Sequence, residues 1–182
     1  MTSVLERLLL RGHYISDLFK GSIENSAISE DTIKANYEKL KGLGLSDSKI
    51  ASRAELLGMN PDTIDRNYQR LSALGLSDSK IASQAHLLGR DPNTIDRNYQ
   101  RLSALGLSDS KIASLAHLLG MNPDTIDRNY QRLSALGLSD SKIASRAELL
   151  GMNPDTIDRN YQRLSALGLS DSKIASQAHL LG

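Results

Sequence analysis

The sequence predicts an all-α protein, an α-solenoid built from 31-residue units of two helices each. Three observations support this fold class. The tetrapeptide Leu-Gly-Leu-Ser returns with a period of 31 residues, each unit holds two stretches with apolar residues at helical spacing, and no segment has the alternation of a β-strand. The glycines of the tetrapeptide are Gly44, Gly75, Gly106, Gly137 and Gly168.

The period divides the chain into a single array covering residues 1–182. We assign residues 1–45 to an N-terminal cap and a diverged repeat, because residues 15–45 match the later units only in part. The full repeats are 46–76, 77–107, 108–138 and 139–169, followed by a half repeat at 170–182. Residues 139–169 are identical in sequence to residues 46–76, which indicates recent duplication or deliberate design.

The first helix of a unit is predicted from Asp47 to Leu57. Ser46 suits the N-cap, and the carboxylate of Asp47 is favourable in the first turn. Gly58 suits the C′ position, where the backbone needs a positive φ.

The second helix is predicted from Pro61 to Leu74. Asn60 suits its N-cap, and proline at the first helical position loses no hydrogen bond. Gly75 is expected to end the helix. The apolar stripes of the two helices are predicted to be Ile50, Ala51, Ala54 and Leu57, and Ile64, Tyr68 and Leu71.

A polar ladder is expected beside the second stripe, because an asparagine recurs about 60° from its centre. Its members are Asn36, Asn67, Asn98, Asn129 and Asn160. We expect each amide to satisfy a loop carbonyl of the next unit, with contact to a ligand as the alternative. Tyr68 and its copies are expected to be core residues with a hydroxyl in water rather than a stacking platform.

Composition excludes several function classes. The net charge is +1, there is no cysteine, and the aromatic residues are six Tyr and one Phe. No apolar run approaches the length of a membrane span. The histidines are His13, His86, His117 and His179, and the last three occupy one position in successive units, too far apart for a shared metal. We therefore predict no enzyme, no cofactor, no small-molecule substrate and no membrane partner.

A few positions vary while the rest of the full repeat is constant. The first varies as Arg53, Gln84, Leu115, Arg146 and Gln177. In modular nucleic-acid binders one changeable side chain per unit reads a base, and Arg, Gln and apolar groups match guanine, adenine and the thymine methyl. The second position varies as Glu55, His86, His117, Glu148 and His179. Since the two positions lie about 200° apart on a continuous helix, only one of them is expected to read.

Constant basic residues supply candidate phosphate contacts. They are Lys49, Lys80, Lys111, Lys142 and Lys173; Arg66, Arg97, Arg128 and Arg159; and Arg70, Arg101, Arg132 and Arg163. Lys49 lies one turn before Arg53, so a phosphate contact beside a variable reader is geometrically reasonable. The alternative for the arginines is a ladder of Asp62, Arg66 and Arg70 along a solvated helix.

The unit resembles the repeat of the mitochondrial transcription termination factor (mTERF) family. The residues at the places of the family pattern are Ile50, Ala54, Leu56, Leu57, Leu71, Leu74, Gly75 and Ser77. The resemblance covers about residues 15 to 182 and implies a helical solenoid that binds double-stranded DNA or RNA. The chain departs from the family at the proline that breaks the first helix, where Ala54 and its copies stand, and in its lack of a strong positive charge.

The two ends of the array carry separate predictions. Arg7, Arg11 and a leucine run allow a transit peptide, but Glu6 and the direct continuation into the first repeat favour a capping helix. At the other end, the stripe of Ile174 and Ala178 is expected to be uncovered. We therefore predict either that the chain is cut from a longer array or that it self-associates through the C-terminal half repeat.

The leading prediction is therefore a modular nucleic-acid-binding protein, with DNA and RNA both open. The alternative is a structural or protein-interaction scaffold, natural or designed, that binds no nucleic acid.

Overall fold

The structure, a computed structural model, describes residues 28–182, and the regular structure in that range is entirely helical. The chain forms two compact units, Met1–Pro92 and Asn93–Gly182, and in each of them helix pairs stack in 31-residue steps. The predicted α-solenoid is thus confirmed. The N-terminal predictions on the capping helix, the transit peptide and His13 concern residues outside the described range.

In chain order the α-helices are α1 (Glu30–Gly42), α2 (Asp47–Ala51), α3 (Pro61–Ala73), α4 (Asp78–Ser83), α5 (Pro92–Ala104), α6 (Asp109–Ser114), α7 (Pro123–Ala135), α8 (Asp140–Ser145), α9 (Pro154–Ala166) and α10 (Asp171–Ser176). Each even-numbered, short helix leads into a 3-10 helix. These are η1 (Ala54–Gly58), η2 (Ala85–Gly89), η3 (Ala116–Gly120), η4 (Ala147–Gly151) and η5 (Ala178–Leu181).

The long helices follow the sequence prediction closely. At the start of α3, the side-chain oxygen of Asn60 accepts a hydrogen bond from the backbone of Asp62 at 2.9 Å, and Pro61 is the first helical residue. At the end, Gly75 has a φ of 84°. The amide of Leu76 then donates to the carbonyl of Leu71 at 3.2 Å, which completes a Schellman motif.

The first helix of the unit is not continuous, so that prediction was wrong. Helix α2 stops at Ala51, and η1 begins at Ala54. Two contacts favour the break: Ser52 donates its hydroxyl proton to the carbonyl of Lys49 at 2.8 Å, and the preceding long helix binds carbonyls of η1. The 3-10 helix η1 buries both Leu56 and Leu57. Leu56 was not part of the predicted stripe.

Glycine at the end of the 3-10 helix has a different role from the one predicted. Gly58 lies inside η1 and lacks the positive φ that we expected of it. At its counterpart Gly89, a Cβ atom would lie 2.7 Å from Cδ2 of Leu56. A larger residue there would displace the buried side chain of Leu56, so glycine is favoured by the close approach of two successive 3-10 helices and not by the backbone conformation.

The core lies between repeats: each long helix named next packs on the 3-10 helix that follows it in the chain. Helix α1 packs on η1, α3 on η2, α7 on η4 and α9 on η5. The predicted stripes are buried, except that Tyr68 is half-buried. Nearest-neighbour packing of this kind is how a solenoid buries amphipathic helices.

The prediction that the C-terminal stripe is uncovered was also wrong. Ile174 is 0% and Ala178 1% exposed, because α9 covers this side of the half repeat. Leu180 is exposed, but Leu167, just after α9, is the most exposed of the large apolar side chains in residues 28–182. The uncovered surface therefore belongs to the last long helix.

Candidate nucleic-acid interface

The lysine set lies on the short helices and faces solvent. Each lysine is the third residue of its helix, and its backbone amide donates to the serine N-cap, as Lys80 does to Ser77 at 3.3 Å. Lys49 is half-buried and the other four are exposed. Within residues 28–182 none of these ammonium groups forms an ion pair. The set consists of Lys49, Lys80, Lys111, Lys142 and Lys173.

The first variable position lies at the junction between the short helix and the 3-10 helix. Gln84 has φ −109° and ψ 33°, and its amide donates to the carbonyl of Lys80 at 3.1 Å. The variable residue thus follows its lysine by one turn, as predicted. The position is occupied by Arg53, Gln84, Leu115, Arg146 and Gln177, and each is the N-cap of its 3-10 helix.

The two variable positions are neighbours, which corrects the prediction that they lie on different sides. Because the helix is broken between them, Nη1 of Arg53 lies 3.8 Å from Oε1 of Glu55. The same pair forms between Arg146 and Glu148, also at 3.8 Å. Glutamate occurs only in the two units that carry arginine, whereas the units with Gln or Leu carry histidine. The positions therefore change together, and the two arginines are partly neutralised by their own unit.

Arg66 and its copies, the first group of constant arginines, are exposed near the start of the long helices. Arg97 of α5 binds carboxylates of the next long helix, α7: Asp127 at 2.9 Å and Asp124 at 3.4 Å. Arg159 donates to the hydroxyl of Thr156 at 3.3 Å. The group consists of Arg66, Arg97, Arg128 and Arg159. The expected ladder is absent, because Asp62 forms no ion pair within the described residues.

Arg70 and its copies form the second group of constant arginines, and two of them, Arg101 and Arg132, join successive repeats. Arg101 binds Asp127 at 2.7 Å, and its guanidinium lies 4.6 Å from the ring centre of Tyr130. Arg132 binds Asp158 at 2.5 Å in the same way, and Lys39 binds Asp65. The group consists of Arg70, Arg101, Arg132 and Arg163. Residues engaged between repeats are poor phosphate contacts, so we remove Arg101 and Arg132 from the candidate interface.

Sequence reasoning missed this connection between repeats. The acid and the base lie in different units, and helical spacing relates residues only within one helix. One signal was present: the diverged first repeat keeps a basic residue, Lys39, at the arginine position but places Lys34 at the aspartate position.

The asparagine ladder is structural, as predicted. The amide nitrogen of Asn67 lies 3.2, 3.0 and 2.7 Å from the carbonyl oxygens of Leu87, Leu88 and Arg90. Asn67 is 1% exposed, which leaves its amide no access to a ligand.

The tyrosine hydroxyls also have partners inside the protein. Tyr68 donates to Asp78 at 3.0 Å, and this hydrogen bond to a carboxylate raises the pKa of the phenol above 10.0. Tyr161 donates to Asp171 at 2.9 Å with the same effect on its pKa. These rings therefore belong to the repeat junctions rather than to a base-stacking surface.

Other kinds of site were sought in the described part of the chain. Residues 28–182 contain no group of three or more His, Cys, Asp or Glu side chains suited to hold a metal ion. No helix in this range is long and apolar enough to cross a bilayer. No protein-family model and no curated protein sequence matches the chain.

Proposed function

We propose that this protein is a modular binding protein whose ligand is nucleic acid. The observation that carries the proposal is the lysine set, repeated every 31 residues, facing solvent and lacking ion pairs among the described residues. Each lysine lies one turn before a variable residue on a fixed backbone. Lysines would hold phosphates, while the variable residues would contact bases.

The distribution of charge supports the lysines rather than the arginines as phosphate contacts. Arg101, Arg132 and Lys39 bind aspartates of the following repeat, and Arg53 and Arg146 have a glutamate beside them. The lysines form no ion pair within residues 28–182 and face solvent, where a ligand can reach them. With a net charge of +1, we expect binding of modest affinity that weakens steeply with salt.

The resemblance to the mTERF repeat adds support for this ligand class. The break in the first helix, which that family makes with a proline, is present here between Ala51 and Ala54 without one. The salt titration described next, carried out with both DNA and RNA, also determines which of the two is the ligand.

The test is a salt titration of binding to random DNA and RNA oligonucleotides. We expect log K to fall linearly with log salt, and Gln at Lys80, Lys111 and Lys142 to weaken binding alike for all sequences. The slope should become shallower by about one unit per lost contact. The matched control places Glu at Gln69, Gln100 and Gln131, which are exposed in every unit and give the same change in net charge. Equal losses in the two triple variants would contradict the proposed lysine contacts.

A protein-interaction scaffold is the second candidate function. It is favoured by the use of basic residues within and between repeats, because such pairs stabilise the array without a ligand. Absence of binding to every oligonucleotide at low salt would support the scaffold.

A further inference from the structure

Sequence differences between the four full repeats are confined to one short stretch of the unit. Only five of the 31 places differ, and all five fall within the ten places of residues 53–62. Exposure alone does not explain this, because Gln69 and Ala73 are exposed in every full repeat and are identical in all four. The places that differ are those of Arg53, Glu55, Met59, Asn60 and Asp62.

The first two of these places change together, and we call their two residues the variable pair of a repeat. Because the 3-10 helix begins between them, the two side chains are neighbours, and Nη1 of Arg146 lies 3.8 Å from Oε1 of Glu148. The pair can therefore act on a single chemical group of a ligand. The pairs are Arg53 with Glu55, Gln84 with His86, Leu115 with His117, Arg146 with Glu148, and Gln177 with His179.

The pair of Arg146 and Glu148 keeps its donors and acceptors accessible. The two side chains are 46% and 47% exposed, and a separation of 3.8 Å is too long for a hydrogen bond between them. Neither side chain forms a hydrogen bond with any residue of 28–182. The carboxylate thus attracts and orients the guanidinium without occupying its N–H groups.

Guanine is the base that can make two hydrogen bonds with each group of this pair. Its O6 and N7 accept from a guanidinium, and its N1–H and N2 amine can donate to the two oxygens of a carboxylate. Adenine has an amine in place of O6 and no hydrogen on N1, so both groups would face the wrong partner. A glutamine amide suits N6 and N7 of adenine instead, and a histidine ring can stack on the base.

The spacing of the repeats favours a single strand over a duplex. The 3-10 helices η3 and η4 contact each other, and helices in contact have axes about 8–10 Å apart. Stacked bases of one strand are about 3.4 Å apart, so neighbouring repeats cannot reach neighbouring bases of a duplex. An unstacked single strand removes this mismatch, and it also exposes the N1–H of guanine, which base pairing occupies.

We propose that each variable pair reads one base of a single-stranded nucleic acid, the Arg–Glu pair selecting guanine and the Gln–His pair adenine. The second variable position is then a specificity determinant and not only a neighbour of the first. The inference rests on the proposed nucleic-acid binding and deepens it. Within residues 93–182 the Arg–Glu repeat is followed directly by a Gln–His repeat, so this unit should read guanine and adenine in succession.

The test selects ligands of the full chain from random pools of single-stranded DNA, single-stranded RNA and duplex DNA. Affinities for defined oligonucleotides that differ at one nucleotide are then measured by fluorescence anisotropy. We expect the parent chain to prefer guanine over adenine at one nucleotide by at least about tenfold. Arg146→Gln together with Glu148→His should move that preference to adenine at this nucleotide alone, without changing the net charge.

The matched control places an arginine and a glutamate outside the variable stretch. Gln131→Arg together with Ala135→Glu changes two exposed residues of α7 and also leaves the net charge unchanged. This variant should keep every base preference of the parent chain. An equal change of preference in the control would overturn the assignment of specificity to the variable pair.

Single substitutions show whether the two residues act together. Arg146→Gln alone should lose the preference for guanine without gaining that for adenine, because the remaining carboxylate would face N1 of adenine, which is an acceptor. Glu148→His alone should lower the preference for guanine by about tenfold. A complete switch by Arg146→Gln, or an unchanged preference after Glu148→His, would mean that the first position reads alone and would overturn the proposal.

The remaining outcomes separate this inference from the proposed function. Binding without any base preference, or tighter binding to duplexes than to single strands, would overturn the pair as reader and leave the proposed nucleic-acid binding in place. Absence of binding to every pool at low salt would overturn both. Urea unfolding of the same variants checks a purely structural role, in which the unfolding midpoint would fall and the base preference would stay the same.

Discussion

The two halves of each repeat are stabilised in different ways. The long helix has 13 residues and satisfies its ends with its own neighbours, through an asparagine N-cap and a glycine in the left-handed conformation. The other half is split into an α-helix of six residues and a 3-10 helix of five. The carbonyls of its 3-10 helix are bound by an asparagine of the preceding long helix.

This difference shows where the repeat depends on its neighbours. A long helix with both caps needs the next repeat mainly for apolar burial. A short helix and a 3-10 helix are too short to be stable alone, and they also need a donor from another repeat. Stability of the array should therefore be most sensitive at the asparagine that links the two halves.

The largest effect is expected for Asn98→Ala. The amide nitrogen of Asn98 lies 3.1, 3.1 and 2.9 Å from the carbonyl oxygens of Leu118, Leu119 and Met121. Removing this donor inside the core should lower the free energy of unfolding by about 3 kcal/mol in urea denaturation.

Asn160→Ala is the matched control for that substitution. Asn160 is half-buried, and its amide is bonded to one carbonyl, that of Leu181, at 3.2 Å. A loss of about 1 kcal/mol is expected. Equal losses at Asn98 and Asn160 would contradict the role assigned to the ladder.

A smaller effect is expected where the long helix ends. Gly137 has a φ of 84°, and no atom lies within 4 Å of a Cβ placed there. Gly137→Ala should therefore cost about 1 kcal/mol of unfolding free energy through the backbone alone. Gly137→Asn should cost less, since asparagine tolerates the left-handed region. Equal urea midpoints for the Ala and Asn variants would argue against this explanation.

A proline substitution where α8 meets η4 tests whether the first helix of the repeat is broken there or continuous. The amide of Ala147 is the first of η4 and has no backbone acceptor within residues 28–182. We expect Ala147→Pro to change the free energy of unfolding by less than about 1 kcal/mol. Ala144→Pro, inside α8, should cost about 3 kcal/mol because it removes a helical hydrogen bond. A large loss at Ala147 would indicate that the two segments act as one helix.

The smallest effect concerns the link between the long helix and the next short helix. The hydrogen bond to Asp78 raises the pKa of Tyr68 above 10.0, so it stabilises the folded state below that pH. The contribution is lost as the pH rises through the raised pKa. Titration of phenolate absorbance should show one tyrosine ionising at lower pH after Asp78→Asn. Asp171→Asn should do the same for Tyr161. Unchanged titration curves would rule out the hydrogen bonds as the cause.

The sequence by itself determined the period, the long helices and the place of the lysine set. Asn60, Pro61 and Gly75 act within a few residues of their own position, so their effects can be predicted from spacing alone. The exposure of the lysines and the position of the variable residues one turn later follow from the same local geometry.

Only the tertiary structure decided the break in the first helix, the ion pairs of Arg101 and Arg132, and the exposure of Leu167 instead of Ile174. Each depends on a partner in a neighbouring repeat. Helical periodicity relates residues three or four apart, and it carries no information about which side chain of the next repeat lies opposite. That arrangement is fixed by how the helices stack, because burial and ion pairing are satisfied between repeats rather than within them.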